Sequence, residues 1–169
     1  MVVERDGEYV VLELKYLTSE LIGSANVFGQ NINDAKLASN MYAINIRSYA
    51  CWKDVHRIEV LKKYFNNVVG GLSIIVTNNK IYWQGVSSNT AGYKEFALTN
   101  NSLTSRHWSS QSNATKMAKS HAPFDVFKPY KYLDKDWEPV VCINNAVQGK
   151  INTSKEAGKS EFKYLIIEV

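Results

Sequence analysis

Cysteine is scarce in this chain: Cys51 and Cys142 are its two copies among 169 residues. Neither lies in a Cys-x-x-Cys pair or a Cys/His cluster, which argues against a structural zinc site and against a disulfide framework. Proline and histidine are nearly as rare, with three copies each. No apolar run approaches the roughly 20 residues of a membrane-spanning helix, and no secretory leader is recognisable. No membrane partner and a cytoplasmic location are therefore expected. A phosphate-cradling glycine loop, a Gly-x-Ser-x-Gly elbow, a histidine–carboxylate nucleophile array and an internal repeat are all missing too. With them go the common nucleotide-binding and serine-hydrolase classes.

What remains is ordinary in bulk. The chain is 45% hydrophobic and 21% charged, which suits a folded protein and not a disordered one. Its length fits one domain, 1–169, large enough to bury a core without staples. Aromatic residues are plentiful, with ten Tyr and four Trp. A net charge of +4 permits a polyanionic partner without requiring one.

The first fifteen residues organise the reading. Val2-Val3 and Tyr9 to Leu14 are β-forming runs separated by Asp6-Gly7, a pair suited to the positive φ angles of a type I′ hairpin turn. The spacing sets Arg5 opposite Glu8, Val3 opposite Val10 and Met1 opposite Leu12. The second run is mostly apolar and reads as covered on both faces. It ends in Glu13 and Lys15, which alternation puts on one face about 7 Å apart. Charges there need a partner. Either the two form an ion pair where the strand emerges, or Glu13 holds a divalent cation and Lys15 steadies a water or phosphate oxygens beside it.

Further along, Tyr16 to Gln30 is polar, contains Gly23 and Gly29, and reads as a loop with a helical turn around Ser19 to Ile22. Asn33-Asp34 offers a helix N-cap, and no Gly or Pro follows until Gly70. Apolar residues at Leu37, Met41, Ile44, Cys51, Val55, Ile58 and Leu61 predict a long helix ending at Asn66-Asn67, straight or bent near Ser48. Asp54, Arg57 and Glu59 read there as solvated or as i,i+3 pairs such as Asp54–Arg57, and His56 as a surface residue. Lys53 and Arg57 could equally touch a phosphate. Leu72 to Thr77 predicts a buried strand after Gly70-Gly71, with a turn at Asn78-Asn79. Glu95 to Leu98 reads as a short strand, and Ser112 to Ser120 as a short helix. Arg106-His107-Trp108 is a basic–aromatic cluster that packs a loop or contacts nucleic acid. Val140 to Ile143 reads as a strand, Gly149 to Gly158 as a loop, and Phe162 to Val169 as a final strand.

Glu13-Leu14-Lys15 closing a hairpin resembles the PD-(D/E)xK nuclease superfamily, whose signature is a hairpin with Asp on one strand and Glu-x-Lys on the next. Three later segments resemble uncharacterised bacterial proteins of that superfamily: Ser48 to Glu59, Leu72 to Trp83 and Phe162 to Val169. The resemblance implies an α/β, restriction-endonuclease-like fold, a mixed central sheet with the N-terminal hairpin and the long helix packed on it. It implies Mg²⁺ (or Mn²⁺) held by Glu13 and the backbone carbonyl of Leu14, Lys15 as the catalytic lysine, and DNA as substrate. The helix after Glu-x-Lys commonly adds a Gln, Arg or Tyr to the site in that superfamily. Lys53, Arg57 and Arg106 would then face DNA, and a homodimer is left open. One departure is plain. The residue facing Glu13, where the metal-binding Asp belongs, would precede Met1, and Glu4 sits about 13 Å away. A shortened or decayed member is expected, and a catalytically silent DNA-binding or protein-interaction domain is the alternative.

Overall fold

In the computed structural model, residues 1–27, 29–41, 43–85, 95–99, 103–108, 114–139 and 161–169 are described. Asp6 and Gly7 both take positive φ, 54° and 82°, the left-handed geometry that a two-residue hairpin turn needs. Val2–Arg5 (β1) thereby folds back on Glu8–Leu17 (β2). The pairs are those the spacing implies: Arg5 with Glu8, Val3 with Val10, and Met1 exchanging both backbone hydrogen bonds with Leu12 at 2.8 Å.

The next stretch departs from expectation. β2 runs on to Leu17, and Leu21–Val27 (β3) pairs with Gln30–Ala38 (β4) as a separate two-stranded sheet turning at Gly29, φ 81°. Neither the loop over Tyr16 to Gln30 nor a helix starting at Asn33-Asp34 exists; Asp34 lies within β4 at φ 53°. The reason is physical. Gln30 to Asp34 are exposed and the pairing slips register twice. Over residues 30–34 no buried face therefore imposes the apolar alternation by which a strand is read.

The helix itself is Ile44–Tyr64 (α1), 21 residues. Its last turn carries Lys62 and Lys63, which complement the negative end of the helix dipole. Val68–Thr77 (β5) follows and runs parallel to β2, so the chain crosses over through α1 between them. Lys163–Glu168 (β9) pairs antiparallel with β5, and the two-residue Glu138–Pro139 (β8) caps that edge. The result is a mixed five-stranded sheet ordered β1-β2-β5-β9-β8 in an α/β fold.

Strand alternation turns Gly71, Ser73, Ile75 and Thr77 of β5 toward α1, all buried, and Leu165 and Ile167 of β9 with them. The other flank of α1 is covered by irregular chain. Ile81–Gln84 (α2), Ser105–Arg106 (β6), Ala114–Ser120 (α3) and Phe124–Asp125 (β7) belong to this layer, with β6 and β7 paired. Its aromatics enclose the helix: Trp52 Nε1 donates to the Phe96 carbonyl at 3.1 Å, and the Tyr49 ring meets Phe96, Trp108 and Phe124 at 5.4–5.5 Å. Glu95 to Leu98, expected as a strand, forms turns. The expected strand at Val140 to Ile143 and loop at Gly149 to Gly158 lie outside the described residues.

β2 is not covered on both faces. Val11 and Leu17 are buried, but Leu14 and Tyr16 on the opposite side are 54% and 56% exposed. No helix among the described residues is long and apolar enough to cross a membrane.

A side chain at Gly71 would collide with α1: a Cβ there would stand 2.1 Å from Ile58 Cγ2. Ile58 is fully buried and β-branched, so it cannot turn aside. Gly71→Ala is expected to destabilise the fold by about 1–3 kcal/mol, measured by urea denaturation. Gly71→Ala combined with Ile58→Ala should lose less than the sum of the single changes.

Candidate functional site

Glu13 and Lys15 leave β2 on the face toward α1, and α1 answers with Asp54 and Arg57. Asp54 and Ile58, four apart, share the sheet-facing side of the helix, and the Asp54 side chain is 5% exposed. Its Oδ2 lies 3.1 Å from Lys15 Nζ. Its Oδ1 accepts a hydrogen bond from Arg57 Nη2, the i,i+3 pair that the sequence suggests. The same Nη2 is 2.9 Å from Glu13 Oε1. Glu13 and Lys15 thus do not pair with one another; each is paired across to the helix. Two carboxylates converge on a single guanidinium nitrogen, and an ammonium closes the cluster.

The four charges sum to zero, but they are not equally solvated. Burial raises the Asp54 pKa above its ordinary 3.8, against the hydrogen bond and charge of Lys15 and the charge of Arg57, which lower it; Glu13 adds to the rise. Beneath it Cys51 is fully buried, and burial first, then the Asp54 charge, pushes its thiol up to about 12. Cys51 is therefore no nucleophile.

The backbone adds an oxygen. Tyr9 donates its N–H toward the β5 side, to the Asn67 carbonyl, whereas Leu12 bonds to Met1 on the β1 side. Backbone groups alternate along a strand, so the Leu14 carbonyl points with that of Leu12, past the end of β1. Glu13, Asp54 and that carbonyl offer hard oxygen donors of the kind Mg²⁺ accepts, which needs only one or two carboxylates beside water and substrate. Arg57 stands as a cation between the two acids. Among the described residues no group of three or more His, Cys, Asp and Glu side chains is poised for a metal.

Other expected site residues fall elsewhere. Arg106 is fully buried, its guanidinium 3.9 Å from the Trp52 ring centroid and donating to the Glu95 carbonyl at 2.6 Å. Burial lowers its pKa to about 10. It packs the core beside α1 and cannot face DNA in this state. Lys53 lies over the Phe124 ring at 4.9 Å and is half-buried. His56 is half-buried between Phe124 and Phe127, not a free surface residue. Glu59, read as solvated, is buried and accepts from the Phe127 N–H at 2.8 and 2.9 Å and from the Tyr130 hydroxyl at 3.0 Å. Asp54 is the residue that sequence reasoning passed over. Its signal was its place in the apolar stripe, three after Cys51 and four before Ile58.

No known protein family, curated protein or solved structure matches this chain.

The raised Asp54 pKa has a measurable sign. A carboxylate held above its unfolded value adds stability that is present below that value and lost as pH rises through the folded one. Wild type should therefore gain stability relative to Asp54→Asn as pH falls from neutral toward 3.8. Paired urea titrations across that range read the difference; a wild type that loses stability relative to Asp54→Asn on acidification would contradict it.

Proposed function

We propose that this chain is a metal-dependent, PD-(D/E)xK-type phosphodiesterase acting on DNA, with Glu13, Lys15, Asp54 and Arg57 as its site. The observation that carries the reading is the convergence of the Glu13 and Asp54 carboxylates on one cation, with the Lys15 ammonium 3.1 Å from Asp54. The parallel β2–α1–β5 crossover behind the hairpin supports it, since it presents helix side chains to the Glu-x-Lys face. In this reading Asp54 supplies the second carboxylate beside Glu13.

Glu13, Asp54 and the Leu14 carbonyl would hold Mg²⁺ or Mn²⁺. Such an ion, once bound, supplies Lewis-acid charge at the phosphate and a water of lowered pKa. The chain's own groups do the rest. Lys15 is one-third exposed, held by Asp54, and sits where a phosphate oxygen or an attacking water can accept its proton bonds. Arg57 is 53% exposed and, among the described residues, anchored by the two acids, so a cation that takes those acids frees its planar fork to pair with a phosphodiester. Lys53, roughly a quarter of a turn round the helix from Asp54, adds charge for the strand only if it leaves the Phe124 ring.

One observation favours a second reading. The cluster is already neutral and paired, with Arg57 in the cation's place, as a nuclease-like domain that binds DNA without cleaving it would have it. Cleavage of plasmid and linear DNA with Mg²⁺ or Mn²⁺ separates the two. The expected result is metal-dependent cleavage that falls at least about 100-fold in Lys15→Ala. Arg57→Ala should bind Mn²⁺ more tightly yet cleave more slowly. DNA binding with no cleavage at high enzyme concentration would overturn the enzymatic reading and leave the second.

A further inference from the structure

Beyond the charge cluster, α1 meets irregular chain at a second concavity. Glu59, Lys62, Lys63, Phe127, Lys128 and Val169 line a cavity of about 310 Å³, a size at the lower bound of small-molecule sites. Its chemistry is one-sided, with three ammonium groups against one side-chain carboxylate, and that carboxylate is engaged. Glu59 is bound by the Phe127 N–H and the Tyr130 hydroxyl, and the contact fixes the backbone from which the Phe127 ring rises, 53% exposed. Lys63 Nζ stands 5.5 Å from the Phe127 ring and 5.8 Å from that of Tyr64. Lys128 Nζ lies 5.0 Å from the Tyr130 ring, and Lys62 Nζ donates to the Val169 main-chain oxygen at 2.6 Å. None of the three lysines forms an ion pair with a described side chain.

Lys62 and Lys63 suit the negative end of α1, which would account for two of the lysines without a ligand. It does not account for Lys128, on another segment, nor for an aromatic ring left standing in water among them. Tyr64 and Phe65, 71% and 53% exposed, extend the aromatic surface. Cations close to exposed ring faces can take a phosphate and a stacked base together. An inorganic anion would leave the ring unused, and a purely apolar ligand would leave the lysines unused.

We infer that the Lys62–Lys63–Lys128 cavity binds a nucleoside phosphate, with the phosphate on the lysines and the base stacked on Phe127. The ligand is either a free nucleotide or the end of a single strand. The site lies between one and two turns beyond Arg57 along α1 and does not rest on the nuclease reading.

The test uses the full chain carrying Lys15→Ala, without divalent cation, so that cleavage plays no part. Anisotropy of a labelled, 5′-phosphorylated oligo(dT) at about 50 mM salt reads binding, and unlabelled dTMP is added as competitor. Expected are losses of at least about tenfold in affinity for Phe127→Ala and, separately, for Lys63→Ala with Lys128→Ala, with Lys135→Ala within about twofold of the parent. Competition by dTMP identifies a free-nucleotide site, and binding of the strand alone identifies a strand end; both uphold the inference. Phe127→Trp keeps the ring should Phe127→Ala fold poorly, and its fluorescence should be quenched by the ligand. No binding, binding that ignores the lysine changes or the loss of the ring, or a tryptophan left unquenched would overturn it.

Discussion

The close approach of α1 to the sheet at Gly71 is the constraint on which the other parts hang. With no side chain at that point, Ile58 sits directly against β5, and the helix axis is held near enough for short side chains to reach across. Asp54 has only one methylene beyond its Cα, yet it meets Lys15 of β2 at 3.1 Å. A helix lifted by a methyl group would widen the gap that the Glu13, Lys15, Asp54 and Arg57 cluster closes. The same approach buries Val55, Cys51 and Ile75 completely. That removes water from one side of Asp54 and is the source of its raised pKa.

Helix α1 buries eight of its 21 residues. One flank faces β-strands and the other an aromatic layer, so polar residues on it are obliged to find partners inside the protein. Asp54 finds Lys15 and Arg57; Glu59 finds the Phe127 N–H and the Tyr130 hydroxyl. On the second flank the Arg106 guanidinium lies over the Trp52 ring, where it keeps its charge and still packs on an aromatic face. Glu59 and Arg106 thus clamp elements together, whereas Lys15, Arg57, Lys63, Phe127 and Lys128 retain exposure.

The two sites share that helix and differ in character. The cluster at Glu13 is neutral and compact, with acids able to exchange one cation for another. The cavity at Lys63 is cationic and shallow, with a ring at its wall. On the proposed readings both take phosphate esters, the first through a metal held by carboxylates and the second through ammonium groups and stacking.

Local backbone chemistry settled several features from the sequence alone. Asp6-Gly7 dictates a hairpin because few other pairs tolerate two positive φ angles, and that turn sets the register through Met1 and Leu12. β-Branched residues mark β5 and β9, a stretch without Gly or Pro marks α1, and two-residue alternation puts Glu13 and Lys15 on one face. Tertiary structure decided the rest, because partners remote in sequence leave no local trace. Asp54 reads as a solvated helix residue until β2 lies beneath it, and Arg106 as a basic loop residue until Trp52 covers it. β3 and β4, pairing with each other largely in solvent, carry no apolar pattern and passed for loop and helix. Lys63 and Phe127 are more than sixty positions apart in the chain, and the Glu59 clamp on the Phe127 backbone helps bring them to one cavity.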